Sequence, residues 1–344
     1  MNAVSYVVGQ WVRGPGFYGR EREIAEVLDG PRSSLWLLGT RRSGKTSLLK
    51  QLEHLTASAP EPVYFPVFWD FQGAEDAREL HLNFNDALLD AEERLESLDL
   101  SAEEIECEDL FSSIARLRRR LRSRSLHLLL LCDEVEELVA LGRREPALAR
   151  KLRRAMQASE DVRTVLASTI RLWELSAQRG DTSPFLHGFT PPIYVGRLSD
   201  ESARELIRQT RLPTAARPAI TDETVEALRR RCDNQPYLLQ LLAKRFAETA
   251  DLDRATEQVA SDRMVSHFFS VDLEMLTGLE RRALRLLGAG DSADLTDIRS
   301  TLAESESSVV DSLNRLENLG FIRGDGNRRY HLANHFFRRW LQEL

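Results

Sequence analysis

Cysteine is scarce in this chain of 344 residues: Cys107, Cys132 and Cys232 stand far apart and form no C-x-x-C pair. That spacing excludes a disulfide framework and a cysteine zinc site, and it reads as reduced thiols in a reducing compartment. Long apolar runs are also missing. The longest lies around "LHLLLLC", well short of the roughly 20 residues a membrane-crossing helix needs. The N-terminus "MNAVSYVVGQWVRG" has no basic segment leading into an apolar core, so no secretory leader is expected. An excess of positive charge is absent as well. The net charge of −7 argues against a molecule that binds polyanions with its whole surface. Repeats and low-complexity tracts are not found. Together these absences predict a soluble cytoplasmic protein with no membrane partner.

What remains is an ordinary globular composition, 42% hydrophobic and 29% charged, in a chain long enough for two or three domains. Residues 1–30 hold a Gly/Pro-rich arm, "GQWVRGPGFYGRE", and a short helix. From Leu35 onward strands and helices alternate. "SLWLLG", "VYFPVFWDF", "HLLLLCDE", "DVRTVLAST" and "PPIYVGRL" read as five strands, with Pro66 placing the second at an edge or a bulge. The helix "GKTSLLKQLEHL" puts Leu48, Leu49, Leu52 and Leu55 on one face. Alternation of this kind predicts a parallel sheet covered on both sides. Past Leu198 the pattern turns helical, with helices expected around 219–231, 236–249 and 253–268. From about residue 272 three helices precede "FIRGDGNRRYHL", two strands about a Gly-Asp-Gly turn, which is the order of a winged helix-turn-helix. The expected division is 1–198, 199–271 and 272–344: an α/β nucleotide-binding domain, a helical lid and a winged helix.

The chemistry concentrates in "LLGTRRSGKTSLL". Gly39, Gly44, Lys45 and Thr46 fit G-x-x-x-x-G-K-[ST], following a strand and opening a helix. Glycines let the backbone wrap closely around phosphate oxygens, and the helix presents its positive end to the anion. Lys45 is expected on the outer phosphates and the Thr46 hydroxyl on Mg²⁺. Arg42, Ser43 and Ser47 are counted with them as nucleotide contacts. Asp133 ends a strong apolar strand and is the expected metal-organising carboxylate. Glu134, next to it, is placed to polarise an attacking water. Ser168 or Thr169, at the end of the fourth strand, would sense the terminal phosphate if that strand inserts between the first and third. No N-K-x-D guanine-reading motif occurs, which favours ATP and ADP over guanine nucleotides.

The segments "VRGPGFYGRERE", "GTRRSGKTSLL", "LLLLCDEVEEL", "VGRLSDESARELI" and "DNQPYLLQLLAKRF" together resemble the AAA+/STAND-type P-loop ATPases. Within these they are most similar to the archaeal-type branch related to origin-recognition initiators. The resemblance implies an additional-strand sheet domain, a lid and a winged helix. It implies that Val12, Phe17, Tyr18, Gly19 and Arg20 contact the adenine end, with Pro236 and Tyr237 of the lid motif nearby. Where that motif usually carries glycine, this chain has Asp233. It also implies slow ATP hydrolysis, nucleotide-dependent assembly of subunits and a separate partner protein acting as sensor or effector. The winged helix suggests DNA. Its charge does not: Glu280 to Leu344 holds ten arginines and ten acids, and the recognition helix carries Asp311 and Glu317 against Arg315. Arg323, Arg328 and Arg329 of the wing are the residues left to meet phosphate.

Overall fold

The computed structural model describes residues 6–157, 160–176 and 184–344. Its first part alternates strand and helix. After the N-terminal arm come α1 (Glu21–Leu28), β1 (Ser34–Leu38), α2 (Lys45–Ala57), β2 (Tyr64–Asp70), α3 (Ala77–Leu89), α4 (Glu92–Glu96), α5 (Ala102–Ile105) and α6 (Leu110–Arg122). Then follow β3 (His127–Asp133), α7 (Leu138–Arg144), α8 (Pro146–Met156), β4 (Val162–Ser168) and a short β5 (Ile193–Tyr194). The strands form one sheet in the order β2-β3-β4-β1-β5, and every pair is parallel. β4 therefore does insert between β1 and β3. Pro66 sits on edge strand β2, in unbroken register opposite Leu129, so it marks an edge and not a bulge; there it removes no ladder bond that a neighbour needs.

Alternating side chains of the strands feed two cores. Leu35, Leu37, Leu129, Leu131, Val165 and Ala167 pack with Leu48, Leu49 and Leu52 of α2. Trp36, Leu38, Leu128, Leu130, Cys132 and Leu166 face the opposite layer, with Phe84, Ile114, Leu117 and Leu152 of α3, α6 and α8. Burial on both faces explains why these strands read as continuous apolar runs. Leu55 departs from expectation: it is 39% exposed, while its neighbour Thr56 is buried.

The second part is helical: α9 (Asp200–Arg208), α10 (Asp222–Cys232), α11 (Pro236–Thr249), α12 (Leu252–Ala260) and α13 (Arg263–Glu274). The stretch expected as one helix over 253–268 is two. Asp262 caps α13 by accepting from Met264 N–H at 2.8 Å, and that side-chain acceptor starts a new helix. α13 also runs straight through residues 271 and 272. The third part comprises α14 (Gly278–Ala289), β6 (Ala293–Asp294), α15 (Leu295–Leu302), α16 (Glu306–Asn318), β7 (Ile322–Gly324), β8 (Arg329–Leu332) and α17 (His335–Gln342). Its strands make an antiparallel sheet in the order β6-β8-β7. β6, only two residues long, was not expected. No helix among the described residues is long and apolar enough to cross a membrane.

Candidate nucleotide site

The loop from Gly39 to Gly44 joins the carboxyl end of β1 to the amino end of α2. Its glycines are needed for two different reasons. A Cβ on Gly39 would lie 2.5 Å from both Ser43 Oγ and the Val195 carbonyl oxygen, so close packing excludes any side chain. Gly44 has open space around it but adopts φ +94°, a left-handed conformation that glycine takes freely. Lys45 Nζ donates to the carbonyls of Gly39 and Thr40, both at 3.0 Å, folding back along the loop it would serve.

β3 delivers Asp133 to the same end of the sheet. Its carboxyl is buried and accepts a hydrogen bond from the Thr46 side chain. Burial pushes its pKa up, while the Thr46 bond, Lys45 and the Glu134 amide pull it down. Thr46 and Asp133 are hard oxygen donors side by side, the set that suits Mg²⁺ held by one carboxylate and by substrate phosphates. Glu134 takes a left-handed φ of 49°, uncommon for a residue with a side chain and characteristic of constrained sites. Burial, then Glu136 and Asp133, push its pKa up to about 7 against Lys45 and Arg41. Its carboxyl thus lies near the neutral range that suits proton transfer.

The two hydroxyls at the end of β4 have different fates. Ser168 Oγ accepts from the Trp36 indole N–H at 2.8 Å and donates to the Thr169 carbonyl at 3.0 Å. It is fully buried and committed to the core. Thr169 donates its backbone N–H to Glu136 Oε1 at 3.2 Å, while its buried Oγ1 has no partner among the described residues. Of the expected pair, Thr169 is the one with a hydroxyl to spare. Glu136, buried with Oε2 unpartnered, was missed from the sequence; it is masked there by the neighbouring acids of "DEVEE".

Side chains of the arm residues expected at the adenine end make contacts within the protein. Phe17 is buried among Val27, Leu35 and Ile193. Tyr18 is buried too, its hydroxyl accepting from Arg211 N–H at 3.2 Å. Gly19, at φ +74°, could not carry a Cβ without meeting Ser202 at 2.8 Å. Arg20 is 8% exposed. Its guanidinium donates to the carbonyls of Ser43 (3.2 Å), Arg197 (3.3 Å) and Gly196, and to Glu23 (3.3 Å). It ties the arm to the loop and to the exit of β5. Ser47 is likewise occupied, accepting Val12 N–H at 3.1 Å. Gly14 N–H reaches Gln51 Oε1 at 2.7 Å, so the arm is stitched along α2.

The lid closes the other side. Asp233 and Asn234 both adopt left-handed φ values, 48° and 58°. Asp and Asn tolerate that region better than other side chains, which explains how Asp233 replaces glycine. Asn234 bonds the Leu198 carbonyl at 3.2 Å and Asp200 at 2.8 Å, anchoring the motif to the strand exit. Pro236 opens α11. Gln235 donates to the Arg42 carbonyl at 3.1 Å, and Tyr237 lies under the Arg42 guanidinium, 5.4 Å from the ring centroid. Asp233 also accepts a close ion-paired contact from Arg323 of β7, joining lid to C-terminal sheet. A cavity of about 30 Å³ remains where Thr40 and Ser43 face Asp233, Asp272 and Phe321.

Comparison with known proteins agrees with this geometry. The profile of the family described as Novel STAND NTPase 1 matches residues 13–264. No protein of curated function matches the sequence. The Walker-type ATPase PABY2304 of Pyrococcus abyssi has a similar structure, with TM-score 0.67 at 18% identity, covering 98% of this chain and 99% of that one. The Orc2 protein of Aeropyrum pernix, solved in ADPNP–ADP complexes, has TM-score 0.53 at 14% identity, covering 94% and 91%. The fold is thus that of a P-loop NTPase with a helical lid, shared with these two archaeal proteins. By the loop, the strand order and the profile that spans them, the chain belongs to the novel STAND NTPase 1 family.

Proposed function

We propose that this chain is an ATP-binding and ATP-hydrolysing switch whose nucleotide state sets the position of its lid and C-terminal unit, and through them the recruitment of a partner protein. The observation that carries the reading is the convergence of Lys45, the Thr46–Asp133 pair and Glu134 at one end of the sheet. In this reading the loop amides and Lys45 bind the phosphates. Thr46 and Asp133 hold Mg²⁺, which neutralises phosphate charge. Glu134 receives the proton of the attacking water, and Thr169 offers a hydroxyl to the terminal phosphate. The C-terminal unit, read as a winged helix over 272–344, serves as the moving part. Lys45→Ala is expected to abolish ATP binding. Glu134→Gln is expected to keep binding while phosphate release falls at least ~100-fold, the range for loss of a general base. Wild-type turnover in Glu134→Gln would remove Glu134 from that role.

A nucleic-acid reading is favoured by one observation, and it points away from the wing. Arg323 pairs with Asp233, Arg328 lies 3.6 Å from Glu306, and Arg329 donates to Ser292 at 3.0 Å. Arg119, Arg120 and Arg122 of α6 are exposed and, among the described residues, form no ion pair. Retention on duplex DNA at low salt, lost when these three are changed to Gln, would support a phosphate contact there. No retention at low salt would end it.

A further inference from the structure

The phosphate loop is already in contact with an anion that belongs to the protein. Asp272, two residues from the end of α13, is 5% exposed. Its Oδ1 accepts the backbone N–H of Arg41 at 3.1 Å, across 231 residues of sequence. Arg41 is the third residue of the Gly39–Thr46 loop, and outward amides of such a loop are what a phosphate oxygen seeks. Asp272 also lines the cavity between Thr40 and Ser43 of the loop and Asp233 of the lid, and Lys45, the residue read as meeting the outer phosphates, acts on its charge.

We infer that Asp272 is a built-in competitor for the terminal phosphate: it holds the loop amide when no triphosphate is bound, and the arrival of a triphosphate displaces it. Resting on the nucleotide reading above, this inference names the residue that distinguishes ATP from ADP. Two anions in one buried place repel strongly, and one must leave or be neutralised. Burial already pushes the Asp272 carboxyl up to about 7, against the Arg41 bond and Lys45; its charge is held at a disadvantage even without a rival.

The displacement has somewhere to go. Phe269, one turn before Asp272 on α13, packs against Phe337 and Trp340 of α17, with centroids 5.2 and 5.6 Å away. Phe268 meets Tyr237 of the lid edge-on at 5.6 Å. Movement of α13 away from the loop thus moves the aromatic contacts that hold lid and C-terminal unit. A carboxylate expelled by phosphate converts the presence of one phosphoryl group into a shift of that whole unit.

The test uses the full chain, with ATP·Mg and ADP·Mg titrated calorimetrically into wild type, Asp272→Asn and Lys45→Ala. Asn has the shape of Asp and keeps an acceptor for Arg41 N–H, but lacks the charge. Asp272→Asn is expected to bind ATP at least fivefold tighter than wild type and ADP less than twofold tighter. Hydrogen exchange on the wild type alone gives a second reading: ATP, and not ADP, is expected to speed exchange over residues 263–274. Equal ATP affinity in wild type and Asp272→Asn, or equal gains for ATP and ADP, would overturn the inference while leaving nucleotide binding intact. If wild type, Asp272→Asn and Lys45→Ala all fail to bind either nucleotide, the underlying reading fails and this one with it.

Discussion

Changing Arg323 to Gln should loosen the junction between lid and C-terminal unit, and the structure sets the size of the effect. Asp233 is buried and its nearest cationic contact is Arg323; the next, Arg197, stands 3.7 Å away. Removing one partner of a buried pair costs about 3–5 kcal/mol when both are fully enclosed. Arg323 retains 32% of its side-chain exposure and Arg197 remains, so about 2 kcal/mol is the expected loss. At about 2 °C per kcal/mol for a chain of this size, melting should fall by about 4 °C near pH 8. The pH dependence has a definite sign. Burial already holds the Asp233 carboxyl above the ordinary range, with Arg323 opposing that rise, and losing Arg323 pushes it higher. A carboxyl raised on folding binds its proton more tightly in the native state. Its contribution is therefore most favourable below the unfolded value of about 4 and is lost as pH rises through the folded one. The deficit of Arg323→Gln should shrink as pH falls from 8 towards 5. The double variant Asp233→Asn/Arg323→Gln, which has no charge to strand, should recover at least half of it. Calorimetric melting of wild type, Arg323→Gln and the double variant across pH gives the answer. A single variant that melts within about 1 °C of wild type at pH 8, or a double variant no better than Arg323→Gln alone, would refute the argument.

Other substitutions separate packing from chemistry. Ser168→Ala strands the Trp36 indole N–H and should destabilise by about 1–3 kcal/mol, leaving ATP affinity within twofold by titration. Thr169→Ala removes a hydroxyl that bonds nothing among the described residues; it should alter melting little but slow phosphate release by about tenfold or more. Gly19→Ala adds a Cβ 2.8 Å from Ser202 at φ +74° and should cost about 2–4 kcal/mol, partly relieved by Ser202→Gly, as thermal melting would show.

Much of the frame was legible because its signals are local. Five apolar strands, the glycine loop before α2 and the acid ending β3 each lie within a dozen residues of sequence; the insertion of β4 between β1 and β3 is only conditional in the sequence and is settled by the strand order. The split between α12 and α13 was also legible in principle, since Ser261-Asp262 is a capping signal inside the apolar rhythm. Other features have no local trace. Nothing around Asp272 announces that α13 will reach Arg41. Arg20 sits in a segment whose resemblance suggested ligand contact, yet its four hydrogen-bond acceptors are all protein. Phe17 and Tyr18 are buried in the cores on the two faces of the sheet, a placement that nothing in the short arm sequence announces. Pairings across more than a hundred residues are set by topology, which short-range periodicity does not encode.

The Arg20 guanidinium has a bearing on how the molecule is made. Two of its carbonyl acceptors lie at residues 196 and 197, beyond the last strand of the sheet, and a third lies inside the phosphate loop. A nascent chain that has emerged only as far as Thr169 already contains the glycine loop, both acids of β3 and the spare hydroxyl of β4. It does not yet contain the Gly196 and Arg197 carbonyls, which fasten the arm to the exit of β5. Assembly from the N-terminus would therefore produce every reactive group well before the brace that fixes their positions, and tight nucleotide capture would be among the last properties to appear during synthesis.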